Sequence, residues 1–482
     1  MLAPCLMVQG TASGVGKSLI TAALCRIFAR QGHRVAPFKS QNMALNSAVT
    51  ADGREIGRAQ AAQAEAAGLE PTVDMNPVLL KPEGDDCSQV VVRGVPIGTL
   101  TFREYGRRRA ELLPVVAESL ERLRRAHDLV IIEGAGSPAE INLVEGEIVN
   151  MRIARLAGAA VLLVGDIDRG GVFAAFVGTL ELLASEDRRR IGGFVVNKFR
   201  GDATLLGPGL EALHHRTGVP VLGVVPYLER GLVAAEDSLD LDAVGQGPGP
   251  HALDVTVVRL PRIANFDDFE PLGREPGVRV RFVTGAEDLA ATDLIVLPGS
   301  KATVADLDWL GATGLAAAIE AAVGRGTPVL GICGGFQMLG RVLDDPHGVE
   351  SPRARAAGLG LLPVTTTFAP SKTTARVRAR VGAAGLFSAA AGTEIAAYEI
   401  HMGVSDGGGA TSAFTVVERS GVVADHPDGA VSASGTVMGT YLHGLFADGA
   451  MRRALLEGLA RRRGLTPDPR WGAPERPGAR YD

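Results

Sequence analysis

The sequence predicts an α/β protein with two parallel-sheet domains, and three observations lead to this prediction. Short apolar runs alternate with helical periodicity along the first half of the chain, and the alternation resumes in the second half. A glycine-rich loop joins the first apolar run to the first helix, as in a doubly wound sheet. A Gly- and Pro-rich stretch separates the two halves. We therefore expect a first domain over 1–235, a linker over 236–252, a second domain over 253–450 and a terminal helix with a flexible tail over 451–482.

The composition limits the classes of function. The chain has 482 residues, of which 46% are hydrophobic and 21% charged, and its formal net charge is -5. This balance gives no electrostatic reason to expect nucleic acid or an anionic membrane as a partner. No apolar run reaches the length of a membrane-spanning helix, and the apolar start MLAPCLMVQG lacks the basic leader of a signal peptide. The oligomeric state cannot be inferred from these features.

The cysteines indicate the redox compartment. Cys5, Cys25, Cys87 and Cys333 form no Cys-x-x-Cys pair, so neither a zinc site nor a disulfide framework is indicated. A reducing cytoplasm is the compartment that fits.

The strands and helices of both halves are predicted from their periodicity. A helix is expected over LITAALCRIFARQG, with Gly32 as its stop, and another over MRRALLEGLARRR near the end of the chain. Buried parallel strands are expected in the first half at LMVQG, RVAPFK, LVIIEGAG, AAVLLVGD, IGGFVVNKF and VPVLGVVPY, and in the second half at LDVTVVRL, VRVRFVT, DLIVLPGS and TPVLGICGG.

The loop GTASGVGKS, residues 10–18, is predicted to bind the phosphates of a nucleotide. Gly14 and Gly16 let backbone amides curl around phosphate, Lys17 neutralises its charge, and the Ser18 hydroxyl can hold Mg²⁺. The strict pattern has a glycine five residues before Gly16, whereas this chain has Thr11 there. The alternative is a glycine-rich turn that binds nothing.

Two acids and one amide are further candidates for the nucleotide site. Glu133 follows a buried strand and could complete a Mg²⁺ shell with Ser18, although an acid there could also be a helix cap or a solvated charge. Asp52 is a weaker candidate for the same metal. Asn197 in VVNKF could contact the edge of adenine.

Polar side chains near the strand ends are candidates for substrate binding. Amide side chains hydrogen-bond carboxylates and amides alike, which suits an enzyme that makes successive amides on one molecule. Asp166 and Arg169 follow another strand, where Gly170 and Gly171 allow a ligand to approach closely. The substrate-binding candidates are Lys39, Gln41, Asn42, Asn46, Asn76, Asp166 and Arg169.

The stretch TPVLGICGGFQMLG predicts a nucleophile elbow at Cys333, because a buried strand ends there and glycines and a helix follow. A thiolate at a helix N-terminus is a favoured nucleophile. His443 in GTYLHGLF is the predicted base, and the backbone amides of Gly334 and Gly299 are predicted to form an oxyanion hole. The alternatives are a buried apolar cysteine and a hydrogen-bonded core histidine.

These motifs resemble the corrinoid amidotransferase family over nearly the whole chain. The resemblance rests on GTASGVGKS, FKSQNMALNS, DGREIGRAQ, NPVLLKP, EGAGSPAEINL, GDIDRGGVF, NKFRGD, LPGSKAT, GICGGFQMLG, YEIHMG and YLHGLF. It implies a dethiobiotin synthetase-like P-loop domain, followed by a class I glutamine amidotransferase-like domain. It also implies glutamine, ATP and Mg²⁺ as requirements and a corrinoid as substrate.

The glutaminase motif departs from the wider amidotransferase pattern at one position. The usual Glu two residues after the catalytic histidine is Leu445 here. The resemblance to the corrinoid branch implies a glutaminase that works with a Cys-His pair, which Glu399 and His401 of YEIHMG could assist.

The implied reaction is amidation of the b, d, e and g carboxylates of adenosylcobyrinic acid a,c-diamide. The sister enzyme that makes the a,c-diamide is an alternative, although FKSQNMALNS and NPVLLKP are not expected in it. A MinD-type regulatory ATPase is a second alternative, but those proteins carry an early loop lysine where this chain has Ser13, and they lack a glutaminase half. An amidotransferase for a cell-wall lipid is a third.

Overall fold

The computed structural model describes residues 2–143, 146–228 and 252–474, and these form two compact units. Residues 45–54, which the sequence placed in the first domain, belong to the second unit together with the described residues from 252 onward. The predicted linker, apart from Ala252, and the end of the predicted tail from residue 475 lie outside the described residues. Within the described ranges no helix is long and apolar enough to cross a membrane.

The strands of the first half are β1 (Cys5–Gly10), β2 (Val35–Phe38), β3 (Gln41–Met43), β4 (Ser47–Val49), β5 (Glu55–Gly57), β6 (Val78–Pro82), β7 (Cys87–Val92), β8 (Val95–Thr101), β9 (Leu129–Glu133), β10 (Ala160–Asp166), β11 (Ile191–Phe199) and β12 (Val221–Pro226). The helices of this half are α1 (Lys17–Arg30), α2 (Arg58–Ala66), α3 (Phe102–Arg108), α4 (Leu113–Ala126), α5 (Met151–Ala157), α6 (Val172–Leu182), α7 (Ser185–Arg188) and α8 (Gly207–Thr217).

The strands of the second half are β13 (Leu253–Val258), β14 (Ile263–Ala264), β15 (Val278–Val283), β16 (Leu294–Leu297), β17 (Gly299–Ser300), β18 (Val329–Ile332), β19 (Val342–Asp344), β20 (Arg355–Ala357), β21 (Thr365–Val381), β22 (Glu394–Asp406), β23 (Phe414–Arg419), β24 (Val422–Asp428), β25 (Ala430–Val431) and β26 (Val437–Thr440). Its helices are α9 (Glu270–Gly273), α10 (Thr303–Ala312), α11 (Leu315–Gly324), α12 (Gly334–Leu339) and α13 (Gly449–Arg462).

The first unit is built on a parallel sheet with the strand order β12-β11-β10-β1-β9-β2. Val8, Ile131 and Val164 of its central strands are buried, and Val15 and Ile20 pack on them from α1 and the loop before it. Helices join parallel strands because a crossover must return the chain to the same edge of the sheet. The predicted doubly wound parallel sheet is therefore confirmed.

The first unit also contains a smaller sheet, β3-β6-β7-β8, that the sequence analysis did not predict. β7 and β8 form a hairpin whose turn, Arg93-Gly94, has φ values of 46° and 76°. This left-handed turn matches the twist of a hairpin. The strand β3 has only three residues, two of them polar. It is too short to show the alternation of apolar and polar residues that predicts a strand.

The second unit is built on the sheet β15-β13-β16-β18-β26-β25, which is parallel except for its last pair. Its strands carry continuous apolar runs that are buried on both faces, as at Val255, Val257, Ile295 and Leu330. The predicted second α/β domain is therefore confirmed.

An antiparallel sheet, β20-β19-β21-β23-β24 with β22 paired to β21, completes the second unit and was not predicted. The 17-residue β21 ends in RVRARV, in which Val377, Ala379 and Val381 are buried and the arginines between them are not. Alternation of buried and solvated residues along a strand is typical of a sheet with one face in solvent. Tyr398, in the middle of β22, forms an antiparallel bridge with His443.

Candidate active sites

The nucleotide loop lies at the carboxyl end of β1 and runs into α1. Gly14 and Gly16 have φ values of 70° and 99°, which other residues rarely adopt. A side chain at Gly16 would also overlap the amide of Asn197. The Lys17 ammonium donates to the carbonyl of Ala12 at 3.0 Å and to that of Gly136 at 3.2 Å. The lysine thus lies across the loop, where a phosphate group would meet its charge.

Glu133 is the centre of a buried charged cluster at the end of β9. Its carboxylate accepts from Ser18 Oγ at 2.8 Å, from Lys39 Nζ at 3.0 Å and from Gln63 Nε2 at 2.6 Å. Burial alone would raise the pKa of Glu133, but the Lys39 charge and these hydrogen bonds hold it below its usual value. Glu133 is therefore ionised.

The residues around Glu133 fit a magnesium ion by their chemistry. Ser18 Oγ and the Glu133 carboxylate are hard oxygen donors 2.8 Å apart. Mg²⁺ is typically held by one or two such protein ligands, with waters and phosphate oxygens filling the other positions. The described residues hold no cluster of three His, Cys, Asp or Glu that would make an all-protein cage. Asp52 lies in the second unit, where it accepts from the Thr50 hydroxyl and pairs with Arg54 Nε at 3.3 Å.

The side chains of Asn197 and Lys198 brace the nucleotide loop from the end of β11. Asn197 Nδ2 donates to the Val15 carbonyl at 2.8 Å, and Lys198 Nζ donates to the Gly14 carbonyl at 2.7 Å. Lys198 also pairs with Asp166 at 2.9 Å. One donor of the Asn197 amide is thus engaged with the backbone of the loop. Lys198, which has a left-handed φ of 61°, was not predicted from the sequence.

Asp166 and Arg169 lie near this brace. Asp166 Oδ1 accepts from the backbone amide of Asp168 at 2.9 Å, and Arg169 Nε lies 3.8 Å from Asp166 Oδ2. The Arg169 side chain is 78% exposed, so its guanidinium is accessible to a ligand.

A cavity of about 370 Å³ opens beyond β11 and β12. The guanidinium of Arg200 lies 3.3 Å above the centre of the Tyr227 ring within its lining. Stacked Arg and Tyr groups form a flat, polarisable surface. The remaining lining residues are Phe199, Gly201, Ala203, Val224 and Pro226.

The amide residues predicted to bind substrate make internal hydrogen bonds in the structure. Gln41 Oε1 accepts from the Tyr105 hydroxyl at 2.5 Å, and Asn42 Nδ2 donates to Gln60 Oε1 at 3.1 Å. Asn76 accepts from the Gly57 amide and donates to the carbonyls of Lys39 and Val78. Asn76 therefore uses both its donors and its acceptor to hold the backbone.

Asn46 lies apart from the other candidates. It is fully buried in the second unit, and its Oδ1 accepts from the Phe266 amide at 3.3 Å.

Cys333 lies at a strained turn between β18 and α12. Its φ of 53° and ψ of −110° are unfavourable for a residue with a side chain, which is the geometry of a nucleophile elbow. The Cys333 amide donates to the Thr440 carbonyl at 2.8 Å and so fixes the turn against β26. The sulfur lies 3.4 Å from the carbonyl of Ile400, in the middle of β22.

His443 follows β26 and contacts an acid that the sequence analysis missed. Its Nδ1 is 2.7 Å from Asp268 Oδ2, and Asp268 Oδ1 accepts from the Gly444 amide at 3.0 Å. The Tyr398 ring stacks on the imidazole with a centroid distance of 5.2 Å and an interplanar angle of 15°. Both His443 and Asp268 are at least 95% buried. The histidine ring is therefore held by a carboxylate and an aromatic face.

The charge on His443 follows from these contacts. Burial lowers the pKa of His443, but the charge and hydrogen bond of Asp268, with the hydrogen bond from Cys333, raise it to about 10. The imidazole is therefore protonated at neutral pH. The geometry brings together a cysteine, a histidine and an aspartate, which extends the predicted pair to a triad.

Glu399, which the sequence offered as an assisting residue, contacts a different group. Its carboxylate lies 2.8 Å from Arg419, and burial raises the pKa of Glu399 although Arg419 opposes the shift. His401 stacks on Tyr441 at a centroid distance of 3.8 Å, and burial lowers its pKa to about 4. The position that carries Glu in related enzymes, Leu445, is buried and apolar.

Asp268 had a sequence signal. The segment FDDFEP places two acids between Phe266 and Phe269, and all four residues are buried. Adjacent acids between aromatic side chains are unusual unless a partner is present.

The two predicted oxyanion glycines are brought to the catalytic turn. A side chain on Gly334 would press on the backbone nitrogen of Ser300, and one on Gly299 would contact the His443 ring. β14 pairs with β17, which fixes Gly299 against Ala264. Ser300 Oγ donates to Asp306 at 2.6 Å and accepts from the Ala302 amide at 3.0 Å. The loop that carries Gly299 is thus held on both sides.

Comparison with known proteins finds a family model that matches each half of the chain. Residues 6–238 match the CobQ/CobB/MinD/ParA nucleotide binding domain, and residues 254–451 match the CobB/CobQ-like glutamine amidotransferase domain. The cobyric acid synthase of Sorangium cellulosum is 58% identical, over 96% of this chain and 92% of that protein. The chain belongs to the cobyric acid synthase family. Family members from Pelotomaculum thermopropionicum and Dehalococcoides mccartyi are 54% and 51% identical, each over 96% of this chain and over 89% and 92% of their own lengths.

Membership in the cobyric acid synthase family confirms several predictions from the sequence. The resemblance to corrinoid amidotransferases, the order of the two α/β domains and the class of enzyme, a glutamine-dependent amide-forming synthase of cobalamin biosynthesis, are confirmed. The roles of the individual site residues stay predictions.

We predict that Asp268→Asn lowers the kcat for glutamine hydrolysis by about 10²- to 10⁴-fold, because the amide no longer holds the His443 tautomer or its charge. Steady-state glutaminase assays on the full chain measure this. Leu445→Ala, which removes a buried side chain next to the same histidine, should cost far less activity. Equal losses in the two folded variants would contradict the triad.

The same pair predicts a pH dependence of stability. The pKa of His443 rises from 6.5 to about 10 on folding, so its charged form stabilises the fold fully below about pH 6.5 and ceases to do so as the pH rises through 10. The difference in Tm between the wild type and Asp268→Asn should therefore shrink from pH 6.5 to pH 10. The corresponding difference for Leu445→Ala should stay constant, and a constant difference for both variants would argue against the ion pair.

Proposed function

We propose that this chain catalyses the ATP- and glutamine-dependent amidation of the b, d, e and g carboxylates of adenosylcobyrinic acid a,c-diamide, which gives adenosylcobyric acid. The observation that carries the proposal is the 58% identity to a cobyric acid synthase over 96% of the chain. A nucleotide loop and a Cys-His-Asp arrangement lie in the two domains that this reaction needs. The free thiols of all four cysteines fit a reducing cytoplasm as the place of action.

The glutaminase half releases ammonia from glutamine through a thioester. The Cys333 thiolate attacks the side-chain amide carbon, and the carbonyl oxygen gains negative charge near the amides of Gly299 and Gly334. The carbon–nitrogen bond breaks as His443 gives its proton to the leaving nitrogen, so ammonia departs and a glutamyl thioester remains. His443, now neutral, takes a proton from water, and the resulting hydroxide equivalent hydrolyses the thioester to glutamate and restores the thiolate.

The synthetase half makes the carboxylate reactive. A substrate carboxylate oxygen attacks the γ-phosphorus of ATP, ADP leaves, and an acyl phosphate forms. Ammonia then attacks the acyl carbon, phosphate leaves with the bonding pair, and one proton is lost to give the amide. Lys17 offsets the charge of the transferring phosphoryl group. Ser18 and Glu133 would hold Mg²⁺, which supplies further charge neutralisation when bound.

Several polar groups support binding of nucleotide and corrinoid. The cavity beside Arg200 and Tyr227 has a flat surface on which a nucleobase can stack, and Asn197 and Lys198 hold the loop next to it. Lys39, Gln41 and Arg169 remain candidates for the carboxylates and amides of the corrinoid, together with Asp166. Asn42 and Asn76 support those contacts from behind, because their side chains bond within the first unit, whereas Asn46 bonds within the second unit and takes no part in them.

Two alternative functions are less consistent with these features. A MinD-type regulatory ATPase has no use for the glutamine amidotransferase domain that covers residues 254–451. The sister enzyme that makes the a,c-diamide shares both domains. The acceptor substrate is therefore what distinguishes the two enzymes. The experiment below therefore offers the diamide as acceptor.

The substrate assignment predicts stepwise amidation of the diamide. Uncharged amide groups such as Gln41 can bind acid and amide side chains of the corrinoid equally well, so partly amidated intermediates should dissociate and rebind. Mass spectrometry of the corrinoid, with nitrogen-labelled glutamine and ATP, should show species with three, four, five and six amides appearing in turn. An unchanged diamide, under conditions where glutamine and ATP are both consumed, would refute the assignment.

Cys333→Ala should abolish amidation with glutamine but retain amidation with a high concentration of ammonia. The cysteine serves only the release of nitrogen, whereas acyl phosphate formation belongs to the first domain. Parallel assays with the two nitrogen sources test this. The assignment of the nucleophile fails if a folded Cys333→Ala protein loses both activities equally.

Lys17→Ala should abolish amidation with either nitrogen source, because the phosphoryl charge is no longer offset. Glutamine hydrolysis measured without ATP should persist, because Cys333 and its partners are unchanged. Corrinoid-dependent release of ADP and phosphate is the direct measurement. Normal release in the variant would be incompatible with a phosphate-binding loop.

A further inference from the structure

The short segment Leu45–Arg54 belongs to the glutaminase unit, although the residues on either side of it belong to the nucleotide-binding unit. It contains the strand β4, all three residues of which are buried. Arg376 of β21 donates to the Val49 carbonyl at 2.8 Å and anchors this strand. A piece of the first half of the sequence is thus built into the second unit.

Asn46 and Ser47 of this segment contact one turn of the glutaminase unit. Asn46 Oδ1 accepts from the Phe266 amide at 3.3 Å. Ser47 donates its backbone amide to Asn265 Oδ1 and accepts from Asn265 Nδ2 at its carbonyl, both at 3.3 Å. Asn46 and Ser47 are fully buried, so water does not compete for these bonds.

The turn that they hold is the one that carries Asp268. Asn265 has a left-handed φ of 53° and begins the 3-10 turn Phe266–Phe269, but its own side chain does not cap that turn. The first amides of a helical turn have no partner within it and need an acceptor from elsewhere. Asn46 Oδ1 supplies that acceptor to Phe266. It acts as an N-cap from a distant part of the chain.

The same turn connects to the catalytic histidine by two routes. Asp268 bonds directly to His443 Nδ1 at 2.7 Å. Asn265 Nδ2 also donates to the Tyr398 hydroxyl at 2.9 Å, and the Tyr398 ring stacks on His443. A displacement of Asn265 would therefore change both the carboxylate and the aromatic face that fix the imidazole.

We propose that Asn46 is a positioning residue of the glutaminase, which holds the Asn265–Asp268 turn so that Asp268 meets His443. The proposal rests on the proposed glutaminase function of Cys333 and His443. It assigns to the first half of the chain a part of the catalytic geometry of the second. Because residues 44 and 55 belong to the nucleotide-binding unit, glutamine hydrolysis depends on a segment whose two ends are continuous with that unit.

The test compares Asn46→Ala with Asn46→Asp in the full chain. Asn46→Ala removes the acceptor and should lower the kcat of glutamine hydrolysis by about 10- to 100-fold with a change in KM below about threefold, since His443 is misoriented while glutamine still binds. The pH at which hydrolysis declines on the alkaline side should move down, because Asp268 supports the charge of His443 less well. Asn46→Asp keeps the acceptor oxygen but buries a further charge, so it should recover only part of the kcat that Asn46→Ala loses.

Amidation with ammonia is the internal control. It should stay within about twofold of the wild type in Asn46→Ala, because Asn46 acts only on the release of nitrogen. Parallel loss of both activities, a rise in KM that accounts for the whole effect, or an unchanged pH profile would overturn the proposal. Full glutaminase activity in a folded Asn46→Ala protein would overturn it as well.

A second variant keeps the proposal testable if Asn46→Ala does not fold. Asn265→Asp preserves volume and the acceptor for Ser47, but it removes the amide that donates to Ser47 and Tyr398. It should show the same fall in kcat and the same shift in pH profile, and wild-type kinetics would contradict the proposal. The Cys333→Ala variant distinguishes a failure of the proposed nucleophile from a failure of the role proposed for Asn46. Glutamine hydrolysis that survives in Cys333→Ala refutes Cys333 as the nucleophile, on which this inference rests, whereas its loss there with normal kinetics in the Asn46 and Asn265 variants refutes only this inference.

Discussion

A carboxylate can be buried only where positive charge and hydrogen-bond donors surround it, and both candidate sites depend on this constraint. Glu133 is 1% exposed and is held by Lys39 and by donors from two helices. Asp268 is 5% exposed and is held by His443 and a backbone amide. Each acid draws together segments that lie far apart in the chain. The buried charge therefore fixes the geometry of the site and not only its electrostatics.

Backbone strain contributes a second constraint at the same places. The nucleotide loop turns through glycines with positive φ, and Cys333 adopts a positive φ without being a glycine. Such conformations persist only when the surrounding structure determines them. The bond from the Cys333 amide to Thr440 and the contact of Gly334 with the loop at Ser300 provide that support. Both sites lie at the carboxyl edges of parallel strands, where the chain must turn sharply.

Several polar side chains that the sequence offers as ligands for nucleotide or substrate also hydrogen-bond the backbone of the protein. Asn76 holds three backbone groups, Asn197 holds the nucleotide loop, and Asn46 caps a turn. An asparagine side chain has the same donor and acceptor groups as a peptide bond, so it suits both tasks. Sequence pattern alone does not distinguish them. The distinction depends on burial and on which backbone groups lack a partner, and both are properties of the folded chain.

The sequence by itself determined the two α/β domains, and it predicted the nucleotide loop and the pairing of Cys333 with His443. These features are local in the sequence. Apolar runs predict strands, and the glycines next to Lys17 and Cys333 predict a phosphate-binding loop and a nucleophile elbow. Only the tertiary structure decided that Asp268 lies against His443 Nδ1 and that residues 45–54 belong to the second unit. The physical reason is that the acid beside His443, Asp268, lies 175 residues away in the sequence and not at position 445, where related enzymes carry Glu. A hydrogen bond between distant segments leaves no periodic pattern in the sequence.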